Sequence, residues 1–154
     1  MYYAVADKEH NVTIHKGDKS GPVLATASQC LAKDGVTDIH LTSPKETIQM
    51  EHVHRLLPFF HGKTLFTVNG KKYHWKGHTM LINDQTGFAF AGFHPRFLEP
   101  NFHKLGTLIV MGDGKNMLDI VVISCLVLQE RSDEGKLGRE MARLQVRIPA
   151  SDVS

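Results

Sequence analysis

The chain has 154 residues, 42% of them apolar and 22% charged, which is ordinary for a soluble globular chain able to bury one core. Its formal net charge of +2 excludes bulk attraction to nucleic acid, so any basic surface must be local. Two cysteines, Cys30 and Cys125, are too few for a disulfide framework, and Met1 to Asp7 lacks the basic start and apolar stretch of a secretory signal. A reduced, cytoplasmic setting is the expectation.

Taken in chain order, the sequence reads as a series of short strands. Tyr2 to Ala6 and Val12 to His15 flank a polar turn at Asp7 to Asn11, and Gly17 to Pro22 forms the next loop. Val23 to Ala27 and Val36 to Leu41 are further strands, with a turn at Lys33 to Gly35. Thr47 to His54 alternates, with Ile48, Met50, His52 and His54 on one side and Thr47, Gln49, Glu51 and Val53 on the other. The clearest local signal is Asn69-Gly70 between Thr64 to Val68 and Lys71 to Trp75. Both central positions of a two-residue type I′ turn need positive φ, which Asn and Gly accept at least cost. Pairing across that turn sets Phe66 opposite Tyr73 and Val68 opposite Lys71, with Trp75 on the same side. Thr79 to Asn83, Phe88 to Phe93 and Gly106 to Met111 follow, before a turn at Gly112 to Lys115.

From Met117 to Leu128 the chain is apolar apart from Asp119 and Ser124. Such a run is shorter than the roughly 20 residues that cross a bilayer, so it belongs inside the protein. Ile120 to Ile123 favour a strand by propensity, but the segment has no period of two. Asn116 as a cap, Asp119 in the first turn and Arg131 at the far end argue for a helix. At 1.5 Å per residue its length is roughly 20 Å. With no polar stripe it must be enclosed on nearly every side. The expected fold is therefore mainly β: a closed antiparallel β-barrel around a hydrophobic helix over about residues 117–130, in a domain spanning 1–131, followed by a short tail over 132–154.

Three segments carry a resemblance to a known family: Leu65 to Trp75, the small-aromatic strand Ala89 to Phe93, and Leu118 to Ser124 followed by Gln129-Glu130-Arg131. In these the chain resembles fungal domains of unknown function grouped with the tubby C-terminal-like superfamily, over about residues 1–131. The resemblance implies a β-barrel around a central hydrophobic helix. Tubby domains bind phosphoinositides, and the related scramblase and plant LURP-one-like branches are linked to membranes or defence. The tubby lipid-binding motif has no match in this chain, which is also shorter than tubby domains.

The second face of the hairpin carries Leu65, Thr67, Lys72 and His74, with Lys63 and Lys76 at its open end and Lys71 beside the turn. This group suits an anionic headgroup, at very roughly 1 kcal/mol per basic residue near an acidic membrane. It equally suits a solvated sheet face that uses lysine to stay soluble. In the tail, Leu137, Met141, Leu144 and Ile148 recur at helical spacing beside Lys136, Arg139, Arg143 and Arg147, the pattern of a basic amphipathic helix that lies on a membrane or docks on a partner. The same stretch also reads as a packed stripe, or as a strand from Leu144 to Ile148 by alternation.

His52 and His54 share one strand face, the spacing from which two imidazoles can ligate a transition metal, and His61, His74 and His78 follow. No third ligand, His-Glu-x-x-His or paired-cysteine pattern accompanies them. Gly112-Asp113-Gly114-Lys115 lacks the full P-loop pattern, no Gly-x-Ser-x-Gly elbow occurs, and nothing pairs Cys30 with a histidine. The loop from Phe93 to His103 brings aromatics, Arg96 and two histidines together in sequence. Two function classes remain. One is a non-enzymatic module binding an anionic phospholipid or protein partner through Lys63, Lys71, Lys72, His74, Lys76, Arg139 and Arg143. The alternative is a small-molecule enzyme with a histidine-containing site at a barrel mouth. No bound cofactor is expected for the first, and a transition metal is the one candidate for the second.

Overall fold

Apolar residues alternate with polar ones along the short strands, and that period of two decides which side of the wall each residue takes. The computed structural model of the chain describes residues 1–18, 20–28, 35–53, 62–77, 79–95, 104–131 and 142–149. In it β1 (Tyr2–Ala6), β2 (Val12–Lys16), β3 (Val23–Ser28), β4 (Val36–Leu41), β5 (Thr47–Val53), β6 (Lys63–Val68), β7 (Lys71–Lys76), β8 (Met80–Asn83), β9 (Ala89–Pro95) and β10 (Lys104–Val110) run antiparallel round the wall. β11 (Ala142–Arg147) closes the barrel between β10 and β1. Ala4, Ile14, Ala25, Ile39, Met50, Phe66, Trp75, Leu81 and Leu108 face the interior and are sealed from water.

The expected apolar helix is present as α1 (Leu118–Arg131), and every residue from Val121 to Glu130 is buried. Its entry differs from expectation. A 3-10 segment, Gly112–Met117, precedes it, with extended Met111 at its head and no side-chain cap, so Asn116 lies inside the segment and does not cap the helix. Gly114 is explained by packing, because a Cβ there would lie 2.8 Å from the Phe90 carbonyl oxygen.

The wall is not wholly antiparallel, since β11 runs parallel to β10. Parallel neighbours need a crossover that returns the chain to its starting end. Here α1 is that crossover, threaded through the lumen, so β10, α1 and β11 form a β-α-β unit with its helix inside the barrel. Residues 142–147 are thus a wall strand, as their alternation allowed, and not a turn of amphipathic helix. Arg139 and the rest of 132–141 lie outside the described residues.

Side-chain size divides the interior. The helix lies against β1, β2, β3 and β10, where Ala4, Ala6, Ala25 and Ala27 let its backbone approach. Across the lumen the space is filled by large rings, with Phe66 stacked on Tyr73 at 5.6 Å and Tyr73 against Phe90 at 5.5 Å. The two polar residues that interrupt the apolar run are where the helix is fastened to the wall. Asp119 accepts from the Tyr2 hydroxyl at 2.9 Å and from Lys16 Nζ at 3.2 Å, and Ser124 accepts from the Trp75 indole at 3.0 Å. At the far end Glu130, 2% exposed, meets His10 Nδ1 at 2.7 Å.

Candidate functional site

The hairpin forms in the expected register around Asn69 and Gly70, whose φ angles of 51° and 76° are those of the turn their types favour. Lys63 lies directly opposite Lys76, Leu65 opposite His74, and Thr67 opposite Lys72, all on the outer face. Lys71 shares a side with inward-facing Tyr73 and Trp75, but sits exposed at the turn rim. Among the described residues no carboxylate pairs with Lys63, Lys71, Lys72 or Lys76. Lys63 and Lys76 thus stand as directly opposed like charges, which raises the local positive potential and costs the sheet a little stability.

His74 does not join that free positive charge. Its Nδ1 is hydrogen-bonded to Asp84 Oδ1 on the following turn, so the ring is held beside a carboxylate. Arg143 is placed elsewhere, on β11 opposite Tyr3, four strands from β7 round the wall. The fold therefore brings Lys63, Lys72 and Lys76 onto one face and leaves Arg143 apart from them.

Two residues extend the lysine row beyond what the sequence reading assigned to it. Val53 is opposite Lys63 and Met80 opposite Lys76, and they are 40% and 43% exposed. Val53 had a signal in the sequence, as an apolar residue on the polar side of the Thr47 to His54 alternation.

Of the candidate metal pair only His52 lies among the described residues. His52 turns toward the interior, where its Nδ1 meets Thr64 Oγ1 at 2.8 Å. His54, His61, His78, Cys30 and the 96–103 part of the aromatic loop lie outside the described residues. Among the described residues no three His, Cys, Asp or Glu side chains converge as metal ligands would. Cys125 is fully buried on α1, and burial pushes its thiol well above the usual range, so it is an inert core group.

A second feature appears where the helix enters. A cavity of about 510 Å³ lies at that mouth, with Leu24, Leu41, Val68, Leu118 and Ile123 among its lining and Lys16 and Asp119 at its rim. Nothing in the sequence marks it, because its residues come from five separate stretches of chain. No helix among the described residues is long and apolar enough to cross a membrane.

No curated protein and no solved structure matches the chain. A family model, described as a family of unknown function (DUF6593), matches residues 1–134, which spans β1 to the end of α1 and stops before β11. With that match covering most of its length, the chain belongs to the DUF6593 family.

Proposed function

We propose that this domain is a non-enzymatic binding module that attaches peripherally to anionic phospholipid surfaces, phosphoinositide-bearing ones included, through the outer face of β6 and β7. The observation that carries the reading is the placing of Lys63, Lys72 and Lys76 on one face, none of them in an ion pair with a described carboxylate, beside the single exposed acid Glu51 on β5. Lysines near an acidic membrane each contribute about 1 kcal/mol, so three give an attraction that salt readily screens. The helix that fills the lumen leaves little room for a central catalytic cavity. The resemblance to tubby-like domains, whose tubby members bind phosphoinositides, supports the same reading.

The test is sedimentation with neutral vesicles and with phosphatidylserine- or phosphoinositide-containing vesicles at low and high salt. Binding to the anionic vesicles alone, fading with salt and lost in a Lys63→Gln, Lys72→Gln, Lys76→Gln variant, is the expected result. Equal binding to neutral and anionic vesicles, or none to either, overturns the proposal, and capture by an acidic protein with no vesicle binding redirects the lysine face to a protein partner.

A further inference from the structure

The two ends of α1 are enclosed to different degrees. From Val121 to Glu130 the helix is sealed, but Met117, Leu118 and Ile120 are only half-buried, as are Leu24 on β3 and Val68 on β6 beside them. These five residues line the mouth cavity of about 510 Å³. Its size falls within the roughly 300–1,000 Å³ of small-molecule pockets, and barrel mouths are a usual place for them.

The wall beside the mouth is also open. Pairing between β5 and β6 stops at Met50 opposite Phe66, although both strands continue toward the mouth, to Thr47 and Val68. Where they part, a cleft of about 520 Å³ lies on the wall, lined by Ile48, Gln49, Phe66 and Thr67. Val68, next to this parting, belongs to the lining of the mouth cavity.

The rim decides the head group. Lys16 is 3.2 Å from Asp119, which also takes the Tyr2 hydroxyl, so that pair is internally neutralised. The other two charged residues of the lining, Glu46 and Lys115, have opposite signs. The four charged residues of the lining therefore sum to no net charge, with Lys71, opposite Val68, beyond its edge, and Ser43, Asn69 and Asn116 supply neutral donors and acceptors. A carboxylate or ammonium head would meet charges of both signs on this rim, with no net attraction to offset its desolvation, whereas a hydroxyl or amide loses little water and finds hydrogen-bonding partners.

We propose that the helix-entry mouth binds an uncharged single-chain amphiphile, with its chain on Leu24, Val68, Met117 and Ile120 and its hydroxyl or amide head at Ser43, Asn69 and Asn116. The site is independent of the lysine face and does not rest on vesicle attachment.

The test uses the full chain and 1-lauroyl glycerol below its aggregation limit, followed by calorimetry and by displacement of a neutral environment-sensitive dye, with dodecanoate as the charged comparison. Saturable one-to-one binding of the glyceride is expected, with dodecanoate weaker by about tenfold or more. Leu24→Gln, at a half-buried strand position, should weaken the glyceride by about tenfold while leaving the thermal unfolding cooperative. Ile120→Gln serves as a second variant on the helix, and circular dichroism identifies which variants are folded. Absence of saturable glyceride binding by the folded wild-type chain overturns the site. So does dodecanoate binding as tight as the glyceride, or unchanged affinity in both variants when folded.

Discussion

Trp75 Nε1 donates a 3.0 Å hydrogen bond to Ser124 Oγ, and both residues are sealed from water between the wall and the helix. Ser124 Oγ also lies 3.0 Å from the Val121 carbonyl oxygen, so its own proton has an acceptor within the helix. The indole N–H has Ser124 as its wall-to-helix partner, and this contact, with those of Asp119 and Glu130, holds the rotation of a mostly apolar helix.

Ser124→Ala should therefore destabilise the fold by about 1–3 kcal/mol, the cost of leaving a buried donor unsatisfied. In a Trp75→Phe background the same substitution should cost much less. Urea unfolding of the four chains of that cycle measures the coupling; equal costs in both backgrounds would mean the contact does not set helix rotation.

Stability should fall at alkaline pH. Burial pushes the Cys125 thiol up; burial, then the hydrogen bond and charge of Asp119, push up the Tyr2 hydroxyl; burial, then the Asp113 charge, do the same for Tyr73. The ordinary values are 9.0 for the thiol and 10.0 for the phenols, and the folded chain holds these protons to higher pH. Above that range the unfolded state binds fewer protons than the native one, so the stability they contribute is complete below about pH 9 and is lost as pH rises. Cys125→Ala should remove a slope of about 1.4 kcal/mol per pH unit, read from urea midpoints across the alkaline range.

A chain ended at residue 134 keeps α1 but has no β11. Leu144 is then missing from the core, and β1 and β10 become open edges. Such a chain should aggregate or melt without cooperativity, as size-exclusion chromatography and circular dichroism would report. A cooperative monomer would mean that the wall closes without its last strand.

Lys63→Glu places opposite charges across the Lys63–Lys76 pair. Thermal unfolding should become more favourable to the folded state by about 0.2–1 kcal/mol, while sedimentation with anionic vesicles should decrease. Because the two effects have opposite signs, loss of vesicle binding cannot be ascribed to unfolding.

Local chemistry made much of the fold legible. Asn69-Gly70 specified its turn and thereby the Phe66–Tyr73 register, and the apolar run revealed its enclosure because no stripe of it was polar. Asp119 and Ser124 looked like interruptions and are the fastening points. What stayed hidden depends on distance along the chain. Leu144 and Val146 alternate as a strand, yet the basic residues beside them recur at helical spacing, and only the place waiting between β1 and β10 decides the matter. Arg143 and Lys72 look alike in sequence but stand on different sectors of the wall. The cleft in the wall depends on where the β5–β6 ladder stops, which neither strand encodes by itself.

Closure of the wall between β1 and β11 bears on how the protein is made. Tyr2 pairs with Leu144, so β1 must wait for a partner that is translated only after all the other strands and α1. Until then α1 has emerged with one side of its enclosure missing, and a strongly apolar surface is open to any chaperone or neighbouring nascent chain. Closure is a late event in the life of each molecule, and the vulnerable interval is set by the time taken to translate and release the stretch from Arg131 to Arg147.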